Sequence, residues 1–431
     1  MRLTARSYGI ALTIALTGIA GQWTRVVGES LWLVATAVFT LALAAEALGI
    51  RRQEISLARR MPARAYLGVP FPARLEVRNP FAHALAMDVV EALPESMSAQ
   101  NDETQLVVSP GASTQACFSL TPCALGSIQW STLYTRTRGI FGLAWWYRVR
   151  ELPASVEIAP RYMSRRQLRR GSAQMGRYAH PVPGSGSELF GLRDYVPGDP
   201  VRAIDWKTTA RRARPVVRLY ERDEHLELYL AIDVGRMSGI QSGTLTRLHH
   251  YVNVAARLGQ RALHQGDQVG LVLFADTPLL RLASIGGEQG LLRLRETLGR
   301  ARTQARESNP LAAALELGRM AHLRSLMVLL TDVDEPAAAP QLLQAARLLA
   351  PKHQPLVAGI LDDEVLDLRW HRALRWQDPY RSLAALELVR EARRTAHRLH
   401  RTGAEVVLTR SENLDTELID RYERLRQRQR V

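Results

Sequence analysis

The sequence predicts a multidomain chain: an N-terminal transmembrane helical hairpin, then a β-sandwich, then a doubly wound α/β domain. Three observations carry that prediction. Two apolar runs, 8–23 and 31–50, stand close together near the start of the chain. Strand-length runs separated by turn residues fill 55–160, with no helical period. From residue 226 onward, strand-length apolar runs alternate with helix-length segments.

Composition sets the outer bounds. A chain of 431 residues exceeds one ordinary core, and 46% hydrophobic with 23% charged residues marks a folded protein. The two cysteines, Cys117 and Cys123, exclude a disulfide framework and a four-thiolate zinc site, and read as free thiols in a reducing compartment. The net charge of +15 is carried by arginine, Lys207 and Lys352 being the lysines. Nucleic acid, an anionic membrane and an acidic protein would all suit such a surface, so charge alone selects no partner.

Residues 1–54 form the hairpin. No charged residue lies between Arg6 and Arg25, and each apolar run approaches the roughly 20 residues a helical span needs. Arg2 and Arg6 precede the first run, Arg51, Arg52, Arg59 and Arg60 follow the second, and the loop between holds Arg25. The positive-inside rule then places both ends of the hairpin, and the soluble domains, in the cytoplasm. Glu46, near the end of the second run, is expected to reach the headgroup region. A cleaved signal peptide at the first run is the weaker reading, and it would leave the second run as an anchor.

In 55–160 the alternating stretches 73–77, 86–90, 105–108, 116–120 and 127–134 are broken by Arg78-Asn79-Pro80, Leu93-Pro94-Glu95 and Ser109-Pro110-Gly111. That spacing suggests an immunoglobulin-like sandwich. Trp130, Phe141, Trp145 and Trp146 read as core or edge anchors. With no catalytic constellation, this part is a spacer or docking module. A basic linker follows over 161–185, with Arg165, Arg166, Arg169 and Arg170 close together. A solvated face is the favoured reading and contact with anionic headgroups the sharper one.

The α/β domain covers 226–431. Strands are expected at 226–232, 268–274, 325–330, 356–361 and 405–409, and helices at 245–264, 291–301, 310–321, 338–349 and 383–401, with a charged terminal helix. Such alternation implies a mostly parallel sheet with helices on both faces. Asp233 and Asp332 each follow a strand, where ligands of such sheets bind. The arrangement resembles a von Willebrand factor A domain, a Rossmann-type fold. There one strand ends in D-x-S-x-S and a later one in aspartate, and with a loop threonine they hold a divalent cation that a partner carboxylate completes. The resemblance therefore implies a magnesium site at Asp233, Asp332 and Ser308. Gly235 and Met237 stand where the two serines would be, and Ser308 or Asn309 where the threonine would be. With two hydroxyls lost, the metal-ion-dependent adhesion site is degenerate and no bound cofactor is expected. Arg236 is placed to supply the missing cation's charge.

Between linker and sheet, over 186–225, runs the most distinctive stretch, GSELFGLRDYVPGDPVRAIDWKTTARR from Gly186 to Arg212. It closely resembles the signature of the bacterial domain of unknown function 58 family, in which a membrane hairpin, a β-sandwich and this signature precede a von Willebrand factor A-like domain. Members typically accompany MoxR-type AAA+ ATPases. The resemblance thus implies an ATPase partner and a place in the bacterial inner (cytoplasmic) membrane, in contact with its lipid. Gly191, Arg193, Asp194, Tyr195, Gly198, Asp199, Arg202, Asp205, Trp206 and Lys207 are its partner-binding or structural residues. Opposite charges this dense are expected to satisfy one another and clamp the segment onto the sheet. Lys207 supplies a compact ammonium in an arginine-rich chain.

The leading expectation is a non-catalytic, membrane-anchored adaptor that binds a protein partner, with no nucleic acid expected. The alternative is a magnesium-dependent nuclease in which Asp199 and Asp205 hold the metal and Lys207 stabilises developing charge. Hydrolase signatures are missing: the sequence has no G-x-S-x-G elbow, no H-E-x-x-H and no Walker-type phosphate loop. His249 and His250, adjacent on a helix, face different ways and share no metal.

Overall fold

The computed structural model describes residues 1–24, 28–52, 54–101, 103–168, 183–221, 226–370 and 374–429. The chain is a multidomain α/β protein that divides into two compact units, Met1–Ala159 and Pro160–Val431. Arg25, Arg169 and Arg170 lie outside the described residues.

Two helices, Ala5–Thr24 and Gly28–Arg52, open the first unit and pack on each other. Gly18 admits the Trp32 ring, whose Cγ lies 3.6 Å from where a Cβ would stand. Within them Trp32–Arg52 is long and apolar enough to cross a membrane. Two mainly antiparallel sheets follow. One has four strands in the order Ser56–Arg60, Phe71–Arg78, Ser113–Pro122 and Met97–Ala99. The other is built on a long hairpin, Gly126–Arg138 with Ala144–Ala159, flanked by Leu85–Glu91, Glu103–Val108 and the short Arg2–Leu3. Along Phe71–Arg78 buried residues alternate with more exposed ones, so Ala73, Leu75 and Val77 enter the core while Arg74 and Arg78 face out. Trp130 is core, whereas Phe141 is exposed at the hairpin turn.

Glu46 ties the second helix to the long hairpin. It is buried, and its Oε1 accepts the backbone N–H groups of Phe141 (2.8 Å) and Leu143 (3.1 Å) at that turn. The two backbone donors satisfy Oε1, while Oε2 is buried without a hydrogen-bond partner. On the other side of the turn, the Thr4 and Ser7 hydroxyls donate to the Leu143 carbonyl, and Arg148 donates to the Ile50 carbonyl at 2.6 Å. The sheet end is therefore bolted to both helices.

The second unit holds a six-stranded sheet in the order Pro278–Ile285, Gln268–Phe274, Glu227–Asp233, Leu326–Leu330, Gln354–Ile360 and Glu405–Thr409. All neighbours are parallel except the first pair. Helices Arg247–His264, Gly287–Gly299 and Leu414–Gln429 form one layer. Pro310–Met320, Ala339–Leu349 and Asp378–Arg401 form the other. Tyr229 and Ala231 pack with Ala313, Leu317 and Leu342, while Leu230, one residue out of phase, turns toward Gly259 on the opposite layer. Glu227–Asp233 continues to its neighbour on one side and, later, to Leu326–Leu330 on the other, so the strand order reverses there. Asp233 and Asp332 stand at that reversal.

Candidate functional site

Asp233 ends its strand in a closed ring of donors. The Gly235 N–H donates to Oδ1 at 2.8 Å, and the hydroxyls of Ser308 (2.5 Å) and Thr331 (2.6 Å) donate to Oδ2. Gly235 is needed for closeness, since a Cβ there would lie 3.0 Å from the Asp233 carboxylate and 3.2 Å from the Arg306 carbonyl. Burial raises the pKa of Asp233, and the two hydroxyls and the N–H partly offset it.

Asp332 is 1% exposed and meets a cation that belongs to the chain. Arg247, at the first position of helix Arg247–His264, places its guanidinium 3.2 Å from Asp332 Oδ1 and 2.9 Å from Asp334. Tyr251, one turn on, donates its hydroxyl to the same Oδ1 at 2.8 Å. Burial opposes the charge of Arg247, but Asp332 and Asp334 hold it charged. Burial pushes Asp332 up to about 6, against the pull of Arg247. Glu335 is pushed up to about 7, by burial first and then by Glu307, Asp332 and Asp233. Arg236, expected to balance this site, instead pairs with Glu307 at 2.9 Å on the exposed rim.

The positive charge present at this site is a guanidinium. Asp233 has its lone pairs engaged by hydroxyls and an N–H, and the buried guanidinium of Arg247 is shared between Asp332 and Asp334, with Asp332 Oδ2 left buried without a hydrogen-bond partner. Adding a cation against Arg247 would set like charges together in a low-dielectric site. Among the described residues, no group of three His, Cys, Asp or Glu side chains could hold a metal.

The signature segment folds as a hairpin of Pro183–Asp194 against Val216–Glu221, with helix Trp206–Arg212 between them. Arg193 grips Asp199 through both nitrogens, at 2.7 and 2.6 Å, which holds Asp199 below the usual carboxylate range. Asp205 caps the helix by accepting the N–H groups of Lys207 (3.0 Å) and Thr208 (3.1 Å). It also pairs with Arg218 at 3.0 Å, and that bond, with the Thr208 N–H next, draws its pKa down to about 2. Asp194 pairs with Arg214. Gly198 takes φ +111, which a side chain would resist, in the turn that returns Asp199 to Arg193. The Tyr195 N–H bonds to the Pro215 carbonyl across the hairpin, and Gly191 pairs with Leu219. Arg202 lies in the short turn Val201–Ala203.

The ion pairs Arg193–Asp199, Arg214–Asp194 and Arg218–Asp205 join residues of the segment to one another. The charges and the buried Val216 and Val217 fold the hairpin, and three other apolar residues are left outside: Trp206 is 65% exposed, and Val196 and Val201 are exposed as well. The sequence reading missed Arg247, Tyr251, Thr331 and Glu335. Thr331 and Glu335 flank Asp332 closely enough to be suspected, but Arg247 and Tyr251 come from a helix whose facing strand only the fold reveals.

A family model described as "Protein of unknown function DUF58" matches residues 191–418, from the hairpin through the sheet. The uncharacterized proteins Rv1480 of Mycobacterium tuberculosis (strain ATCC 25618 / H37Rv) and Mb1516 of Mycobacterium bovis are each 30% identical over 193 residues. That alignment covers 43% of this chain, and the chain spans only 59% of the length of these relatives. Among solved structures, BatB from Bacteroides thetaiotaomicron matches 46% of this chain and 98% of its own, at 13% identity and a TM-score of 0.33. SSP-19 of Caenorhabditis elegans, an MSP-domain protein like family member, matches 22% of this chain and 94% of its own, at 12% identity and a TM-score of 0.17. Likeness at these levels decides nothing about fold or function. The family match reaches over more than half of the sequence and takes in both the hairpin and the strand-end acids: the chain belongs to the DUF58 family.

Proposed function

We propose that this protein is a membrane-anchored, non-catalytic adaptor. Its second unit, read as a von Willebrand factor A-like domain, binds a protein partner, a MoxR-type AAA+ ATPase, on the cytoplasmic side of the bacterial inner membrane. In this reading the two N-terminal helices are a transmembrane hairpin and the two sheets an immunoglobulin-like spacer. The observation that carries it is the inversion in the signature hairpin. Arg193, Asp194, Asp199 and Asp205 are spent on folding it, while Trp206, Val196 and Val201 are held out on a short, braced element. Tryptophan is among the residue types most enriched in protein-binding hot spots, and this one is held exposed on a braced element.

Catalysis is disfavoured by the same geometry. Asp233 and Asp332 are sealed from solvent, and the acids a nuclease would use, Asp199 and Asp205, are engaged by Arg193 and Arg218. Partner binding here proceeds without a metal, since Arg247 supplies the positive charge of the strand-end site.

A photo-crosslinking side chain placed at position 206 of the full-length protein in its own cells tests the proposal. An adduct with a AAA+ ATPase, lacking when the probe stands at the equally exposed Leu292, is the expected result. Adducts with nucleic acid, or none specific to position 206, would overturn it.

A further inference from the structure

Where the long hairpin meets the helices, the first unit holds a cavity of about 530 Å³ whose lining includes Arg2, Arg6, Arg136, Arg138, Trp145 and Tyr147. Register explains the convergence. Arg138 stands opposite Trp145, Arg136 opposite Tyr147, and Arg2 opposite Trp145 on the next strand, so these side chains share one sheet face. Arg136 is already committed: it pairs with Asp88, approaches Glu103 at 3.8 Å, and stacks over Trp145 at 4.9 Å. Among the described residues no ion pair engages Arg2, Arg6 or Arg138, and Nε of Arg138 is buried without a hydrogen-bond partner. The cavity is therefore basic, with unspent donors.

Its level relative to the membrane follows from Glu46. That residue lies six positions before Arg52, the end of the apolar stretch Trp32–Arg52. Counted from the start of helix Gly28–Arg52, Glu46 stands 18 residues on, about 27 Å at 1.5 Å per residue, close to the thickness of the hydrocarbon layer and so at its boundary with the headgroups. The turn carrying Ile140 and Phe141, both exposed, is bonded to Glu46, so the cavity beside that turn opens at the same depth.

We propose that this cavity binds the phosphate-bearing headgroup of an anionic lipid, with Arg2, Arg6 and Arg138 as the phosphate donors. Guanidinium forks match phosphate oxygens. Trp145 and Tyr147 line the site as interfacial aromatics, and Ile140 and Phe141 meet the acyl chains beside it. The site fixes the first unit to a membrane face by headgroup chemistry in addition to the helices. It rests on the membrane reading of Trp32–Arg52 and requires nothing of the adaptor reading.

The test uses full-length protein in nanodiscs of mixed phosphatidylglycerol and phosphatidylcholine, with retained lipid identified by native mass spectrometry after gentle release. Wild type is expected to retain phosphatidylglycerol preferentially. Arg2→Gln, at an exposed position, and Arg138→Gln should each cut that preference by about fivefold, and Arg138→Lys should restore part of it. Incorporation into pure phosphatidylcholine discs reports the anchor separately, so loss of anchoring and loss of the headgroup site are distinguishable. Equal retention of both lipids, an unaltered preference in both glutamine variants, or displacement of the lipid by inorganic phosphate at equal concentration would overturn the proposal.

Discussion

The guanidinium of Arg247 lies 3.2 Å from Asp332 and 2.9 Å from Asp334, yet nothing around position 247 in the sequence announces it. Asp233 and Asp332 were legible because each follows an apolar strand. What they bond to was not, because those partners come from separate elements brought together by the sheet. The arginine's removal is the direct test of its role. Arg247→Ala leaves two acids facing one another with no counter-charge, and should lower unfolding stability by about 3–5 kcal/mol, read from denaturant melts. Glu335 offers a second test. Its pKa of about 7 lies above the usual 4.5, so the native state keeps a proton that the unfolded chain has released. The stability tied to that proton is complete below the ordinary carboxylate range and is lost as pH rises through about 7. His249, His250 and His353, all lowered by burial, tilt the whole-protein profile the other way, so the informative quantity is a difference. The gain in melting temperature of Glu335→Gln over wild type should grow between about pH 5 and about pH 8. A gain that is flat or shrinks would remove Glu335 from the buried acid group.

At the scale of elements, the parallel strands were the most legible because they read as short continuous apolar runs. Gln268–Phe274 and Glu405–Thr409 fall where the pattern places them. The edge strand Pro278–Ile285 escaped because it buries only part of one face and mixes Arg281 and Ser284 into its run. Helix Asp378–Arg401 starts earlier than its apolar period, since Pro379 fits the first turn of a helix without regard to amphipathicity. The signature hairpin was recognised as a segment but not as a fold, because its ion pairs are specified by turn geometry rather than by spacing. Glycines separate local from tertiary constraint. At Gly290 a Cβ would lie 2.7 Å from the Ile285 carbonyl, and backbone cannot yield as a side-chain tip can. Gly290→Ala should therefore cost about 1–3 kcal/mol. Gly318, in an exposed part of Pro310–Met320 with open space around it, should gain about 0.5–1 kcal/mol on substitution by alanine. Thermal melts of the two variants, moving in opposite directions, check both.

For the whole molecule, the two units divide the labour. The first carries an apolar helix fit to cross a membrane, together with a basic cavity beside it. The second carries the family's match, with its strand-end acids sealed and its signature presenting Trp206. Charge balance gives this arrangement its logic. Arginines pair with Asp332 and Asp334 at the strand ends and with Asp194, Asp199 and Asp205 in the hairpin, and on the proposed reading exposed apolar surface is left as the means of recognition. The most direct measurement is the affinity of the full-length protein for a purified MoxR-type ATPase of the same cell, wild type against Trp206→Ala, with melting temperature followed alongside. The account predicts that Trp206→Ala weakens binding about tenfold or more while the melting temperature stays put, because the side chain is exposed. Unchanged affinity in Trp206→Ala would contradict it.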